Sequence, residues 1–225
     1  MAITKWLVYT RAWTCVSFFK MLSNRQLTTL RVAVFVLSLL PVLRLVYAGW
    51  HDQLGANPLE FITRNTGDWA LYFLLATLSI TPLRKLTRWN WLIRLRRMLG
   101  LYSFFYASLH LLCFIWFDHF FEWSEMVADV LKRPFIWIGM LTWFGMLPLA
   151  LTSPKFMLRW LGGKRWQMLH RLVYLTACTA VLHYYWMKAG KHDFSQPLIF
   201  GLLTSLLLLY RLYNFWQERQ VQVTV

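Results

Sequence analysis

Six long apolar runs dominate the chain, at about residues 30–50, 67–83, 98–117, 134–152, 167–187 and 196–214. Each has roughly the length a helix needs to cross about 30 Å of hydrocarbon at 1.5 Å per residue. Pro41, Pro82 and Pro148 fall within or near the ends of runs, where membrane helices tolerate them. Trp50, Trp69, Trp89, Trp91, Trp116, Trp160 and Trp166 cluster near the run ends, the depth at which amphipathic rings settle at a headgroup boundary. The pattern predicts an all-α polytopic membrane protein, a bundle of six transmembrane helices over residues 30–214. Residues 1–29 are expected as a cytoplasmic N-terminal segment and 215–225 as a cytoplasmic tail. Trp6 to Phe19 is too short to span, is interrupted by Arg11, and is followed by no signal-peptide cleavage pattern.

Composition agrees with the pattern. Of 225 residues, 58% are hydrophobic, 18% aromatic and 15% charged, against about 25% charged in an ordinary soluble domain. The net charge of +15 is a topology signal. Residues 1–31 carry five basic residues and no acid. The loop from Arg84 to Arg97 carries six and no acid, and the loop from Lys155 to Arg171 five and no acid. The alternate loops hold Asp52, Glu60, Asp68, Asp118, Glu122, Glu125 and Asp129. Lysine and arginine stay cytoplasmic, so both termini are expected inside. This distribution argues against nucleic acid as a partner and for anionic lipid or an anionic cofactor at the basic loops.

Several chemistries are excluded. No G-x-G-x-x-G or G-x-x-x-x-G-K-[ST] occurs, so no nicotinamide or nucleoside triphosphate site is recognisable. Cys15, Cys113 and Cys178 are isolated, with no C-x-x-C and no C-x-x-C-H for covalent haem attachment. Cys113 and Cys178 lie in apolar runs and are expected as small core residues.

The histidines carry the candidate chemistry. His51, His119 and His192 fall in or near outer loops and are expected to be solvated. His110, His170 and His183 fall inside helical runs, where an ionisable residue is expensive and marks a functional site. A proton relay wants carboxylates at depth, and zinc wants clustered ligands; neither is present. Neutral imidazole is a good axial ligand for haem iron. His110 is about 12 residues, roughly 18 Å, from the cytoplasmic end of the third run. His183 is roughly 24 Å into the fifth, and His170 only about 5 Å. His110 and His183 therefore share a level within boundary error and can clamp one haem between the third and fifth runs. His170 stands about 20 Å below His183, turned about 140° from it on a straight helix. At its level the third run offers Arg96, Arg97 and Met98, with no histidine. Arg96 and Arg97 suit haem propionates or a flavin phosphate, or act as positive-inside anchors. Arg44, within the first run, is expected to snorkel rather than to meet a haem propionate, the other reading open to it.

At these residues the sequence resembles the MsrQ (YedZ) proteins. Arg96-Arg97-Met98-Leu99-Gly100-Leu101 with Ser108-Leu109-His110 is similar to the family's third-helix motif. Trp166-Gln167-Met168-Leu169-His170-Arg171-Leu172-Val173-Tyr174 with His183-Tyr184 is similar to its fifth-helix motif. Gly55-Ala56-Asn57-Pro58 and Leu74 to Leu83 fit as well. The likeness runs from about Met21, a candidate true start that would leave 1–20 as an extension, to about Tyr210. It implies a ferric reductase-like transmembrane protein of the bacterial inner membrane, with b-type haem at His110, His170 and His183 and with FMN. It also implies electron transfer from the quinone pool or a cytosolic flavin reductase to a periplasmic molybdopterin-containing methionine sulfoxide reductase subunit that repairs oxidised proteins. Related NADPH oxidases carry a second histidine on the third helix and a nucleotide domain; this chain has neither, so its electron donor is a separate molecule. The alternatives left open are a ferric or cupric reductase on the same core, a small proton-coupled transporter, and a structural membrane anchor.

Overall fold

The structure is a computed structural model that describes residues 23–190 and 192–223. The extension expected at residues 1–20, with Cys15, lies outside them. Among the described residues every regular element is helical: α1 (Asn24–Trp50), α2 (Pro58–Thr87), α3 (Ile93–Leu112), α4 (Trp123–Lys132), α5 (Pro134–Leu151), α6 (Lys155–Leu161), α7 (Gly163–His170), α8 (Leu172–Ala189) and α9 (Ser195–Val223). A 3-10 turn at Asn90–Leu92 leads into α3, and a π-helical segment at Cys113–Asp118 prolongs it.

Six of these helices, α1, α2, α3, α5, α8 and α9, occupy the six apolar runs. Four segments are long and apolar enough to cross a membrane: Asn24–Trp50, Asn90–Asp118, Pro134–Leu151 and Ser195–Gln217. α2 and α8 fall outside that set. Glu60, Arg64 and Asp68 lie on the first, and His183, Tyr184 and Lys188 on the second, all on the wall of the central cavity.

The bundle is apolar outward. Leu37, Leu43, Val46, Leu141, Leu202 and Leu209 are exposed along their helices, as lipid-facing side chains are. Inside, the core mixes leucine and aromatic residues with Ser38, Thr66, Thr77, Ser103, Thr142, Thr176 and Thr204. Small hydroxyl residues let helix backbones approach closely and return their hydroxyls to carbonyls of the preceding turn. Thr77 to Phe73 O (2.7 Å) and Thr142 to Ile138 O (2.8 Å) do so. Across helices, Tyr102 and Tyr106 of α3 donate to Phe35 O (2.9 Å) and Ser38 O (2.7 Å) of α1. Ser103 donates to Ala70 O of α2 at 2.8 Å. α2 packs mainly on α3, and α5 on α8.

Several expectations are corrected. α2 begins at Pro58 rather than near 67. Asn57 accepts from the Glu60 N–H and Pro58 occupies the first turn, a strong helix start. Glu60, Arg64 and Asp68 are therefore helical, not in a loop. The expected loop before α5 contains α4, an amphipathic helix with Trp123, Val127 and Leu131 on one exposed flank and Met126 buried. The fifth run is broken at Arg171 into α7 and α8. α9 continues to Val223, past the expected end of its run at 214. Cys113 is buried, but Cys178 is exposed on α8. Trp69 packs within the bundle on Phe73 and Tyr106. His119 is not solvated: its side chain is 10% exposed, 3.5 Å from Asp129, with its ring edge-on to Phe114. His51 and His192 are exposed, as is Arg44.

Candidate functional site

A cavity of about 1240 Å³ lies between α2, α3, α5 and α8. His110 near the end of α3 and His183 in the C-terminal half of α8 both line it. Their ring centroids are 6.0 Å apart, with planes at 77°. Two helices that do not adjoin in sequence thus bring the imidazoles to one level.

Each ring is held by the same device. His110 Nδ1 lies 2.8 Å from Thr63 O on α2, and His183 Nδ1 lies 2.6 Å from Phe135 O on α5. A carbonyl only accepts, so both Nδ1 atoms carry the proton and both rings, when neutral, present Nε2 as a lone pair. A second partner of this kind orients a metal-ligating imidazole and raises its basicity. In a helix the carbonyl of residue i lies beside residue i+4. Here residue i+4 is glycine in both cases: Gly67 follows Thr63, and Gly139 follows Phe135. A Cβ at Gly67 would come within 3.1 Å of His110 Nδ1, and one at Gly139 within 2.8 Å of His183 Nδ1. Glycine is what lets each ring reach its carbonyl. The two half-sites repeat with an offset of 72 residues for carbonyl and glycine and 73 for histidine. No sequence repeat of 20–50 residues signals this arrangement, and the isolated pair Gly67 and Gly139 was its only sequence trace.

The residues fit a haem. With metal–imidazole bonds of about 2 Å and roughly 1 Å from nitrogen to ring centre, two rings on one metal ion have centroids about 6 Å apart. Gly67, Ala70, Ala107 and Gly139 keep the cavity wall low around the histidines. No cluster of three or more His, Cys, Asp or Glu suited to a bare metal ion occurs among the described residues.

His170 is handled differently. It ends α7, stacks on Trp166 with centroids 3.8 Å apart, and places Nε2 3.2 Å from the Thr152 hydroxyl. That hydroxyl donates to Pro148 O at 2.6 Å, so the imidazole N–H at Nε2 is the donor to it. Trp166 Nε1 donates to Thr152 O at 2.9 Å. His170 therefore has the nitrogen engaged that His110 and His183 leave open. Arg97 donates from Nε to the hydroxyl of Ser153, the residue after Thr152, at 3.2 Å. By the same 73-residue offset, Arg97 stands in α3 where His170 stands in the other half. Arg96 turns away from Arg97, to a separate pocket with Arg211. Sequence reasoning paired Arg96 with Arg97 and passed over Arg211.

A model of the ferric reductase like transmembrane component family matches residues 66–181. The chain is 61% identical over 197 residues to the protein-methionine-sulfoxide reductase heme-binding subunit MsrQ of Herminiimonas arsenicoxydans, covering 88% of this chain and 90% of that one. It is 52% identical to the subunit of the same name in Ralstonia nicotianae, covering 88% and 91%. With that of Polaromonas naphthalenivorans the identity is 46%, covering 85% and 87%. Helical architecture, site and likeness agree: the chain belongs to the MsrQ family of ferric reductase-like transmembrane proteins.

Proposed function

We propose that this chain is the haem-binding, electron-carrying membrane subunit of a methionine sulfoxide reductase, with a b-type haem held between His110 and His183. One observation carries the reading: two imidazoles 6.0 Å apart, each fixed through Nδ1 to a backbone carbonyl and each presenting Nε2. The names of the relatives, heme-binding subunits of protein-methionine-sulfoxide reductase, support it. Absence of C-x-x-C-H favours a non-covalent haem. A haem so ligated supplies one-electron transfer, and the protein supplies its ligands, its orientation and its surroundings.

The helices cross the bacterial inner membrane six times with both termini cytoplasmic, residues 1–29 and 215–225 forming the cytoplasmic ends. Electrons enter at the basic face from a quinol or a cytosolic flavin reductase. They leave at the acidic face to a periplasmic molybdopterin-containing catalytic subunit. His170, with Trp166 and Arg97, stands at the entry level, and Arg96 and Arg97 are the candidates for a propionate or the phosphate of FMN.

The test is a redox-titrated optical spectrum with a pyridine haemochrome assay on the purified chain. His110→Ala and His183→Ala are each expected to abolish a low-spin b-type spectrum; an unchanged spectrum in both sinks the ligand assignment. Rapid reoxidation of the reduced protein only on addition of the purified periplasmic subunit is expected, and free ferric chelate acting equally well would favour a metal reductase.

A further inference from the structure

A second, smaller cavity of about 260 Å³ lies at the basic end of the bundle, where α2, α3, α8 and α9 converge. Arg96 of α3 and Arg211 of α9 both line it, with Tyr174, Tyr210 and Lys85. Among the described residues no carboxylate lines it.

Local chemistry holds Arg211 in place. Pro82 has no N–H, so the Leu78 carbonyl one turn back in α2 has lost its helical donor. The Arg211 Nη2 donates to that carbonyl at 2.6 Å. The guanidinium also lies 5.2 Å from the centre of the Tyr174 ring, a cation–π distance. These contacts still leave Nε buried and without a hydrogen-bond partner among the described residues. A buried donor of a charged group left unmade is costly. Arg96, facing the same cavity, makes no hydrogen bond or ion pair among the described residues. Two guanidiniums turned into one cavity repel each other unless an anion sits between them.

We propose that this pocket binds a phosphate group, clamped by the guanidiniums of Arg96 and Arg211 between Tyr174 and Tyr210. Planar guanidinium forks match phosphate oxygens in pairs. The volume suits a phosphate with its immediate substituents, whereas whole drug-sized ligands occupy roughly 300–1,000 Å³. The remainder of the molecule therefore lies outside the pocket. Two sources share this chemistry: the phosphodiester of an anionic phospholipid in the adjoining leaflet, for which basic pockets between membrane helices are known sites, and the phosphate monoester of a soluble nucleotide. The proposal does not depend on haem ligation at His110 and His183; its nucleotide source rests on the FMN reading above, with Arg211 in place of Arg97 beside Arg96.

Native mass spectrometry of the full chain in detergent tests it, with dioleoylphosphatidylglycerol, FMN and phosphate-free dioleoylglycerol as probes. The wild type is expected to retain one phosphatidylglycerol or one FMN and no dioleoylglycerol. Retained phosphatidylglycerol identifies the lipid source, and retained FMN the soluble one. Arg211→Gln and Arg96→Gln are each expected to weaken that retention at least about tenfold, since each removes charge-assisted hydrogen bonds. A Soret band kept in Arg211→Gln separates this result from the fate of the haem assignment. If the glutamine variants do not assemble, Arg211→Lys keeps the charge but loses the fork, and weaker retention is again expected. No adduct in the wild type, or equal retention in wild type and variants, overturns the proposal.

Discussion

Gly139 sits against His183 so closely that a methyl group at its α-carbon would come within 2.8 Å of both Nδ1 and Cε1 of the ring. Neither neighbour yields easily, because the ring is tied to Phe135 O at 2.6 Å. Gly139→Ala must displace the imidazole or move α5 from α8. Overpacking of this kind costs about 1–3 kcal/mol. Gly67→Ala meets His110 at 3.1 Å, which a shift of a few tenths of an ångström relieves. Haem content by pyridine haemochrome and thermal melting in detergent are expected to fall in the order wild type, Gly67→Ala, Gly139→Ala. Equal values for the two variants would count against the close fit at His183.

His170 lends itself to a contrasting experiment. Its Nε2 is engaged by Thr152 and its face by Trp166. His170→Ala is expected to leave the low-spin spectrum of the His110–His183 pair in place while slowing reduction from the basic side. The lost hydrogen bond and ring stack cost about 1–2 kcal/mol. Stopped-flow reduction measured beside the static spectrum reads both effects. Loss of the spectrum to the degree seen in His110→Ala would instead make His170 a ligand of the same haem.

Much of this arrangement was legible in the sequence, for physical reasons. Hydrophobic length locates long helices on the apolar runs, four of them apolar enough to cross a membrane, since only a helix satisfies its own backbone within hydrocarbon. Counting rise per residue brings His110 and His183 to one level, because helices in a bilayer share a common axis. What escaped the reading depends on particular contacts. The glycines at 67 and 139 matter only once a carbonyl of the previous turn must be reached from another helix. Arg211 looks like one more basic anchor until the carbonyl freed by Pro82 is seen to hold it inward. The true start of α2 was written in Asn57-Pro58, but its charged first turns hid it from a search for apolar runs. α4 is ten residues long, too short to register against spans of twenty.

Tyr106 probes the contact between α1 and α3. The side chain is fully buried, and its hydroxyl donates to Ser38 O at 2.7 Å. Its ring stacks on Phe73 at 5.4 Å. Tyr106→Phe keeps the stack and removes one buried hydrogen bond, leaving Ser38 O without that donor. A loss of about 1–3 kcal/mol is expected, read as a lower melting temperature with an unchanged haem spectrum. An unchanged melting temperature would mean that α1 is held by lipid packing rather than by this bond.

The turn between α8 and α9 supplies a pH dependence. Asp193 accepts from Lys188 Nζ at 2.6 Å and from Ser195 Oγ at 2.9 Å. The hydrogen bond from Lys188, and after it that from Ser195, holds the Asp193 carboxyl below the ordinary aspartate value. A depressed carboxylate contributes its stabilisation above the unfolded pKa of about 3.9 and loses it as pH falls through the lower folded value. The turn is therefore expected to keep its protection from pH 7 down to about 4 and to loosen only below that. His192 lies next in sequence, so the comparison is made against Asp193→Asn, which keeps the histidine. Amide exchange over residues 188–195, corrected for the intrinsic pH dependence of exchange, is the measurement. The wild type is expected to be better protected than Asp193→Asn at pH 6 and to converge on it below pH 4. Equal protection at pH 6 would show that Lys188 and Ser195 do not hold the turn through Asp193.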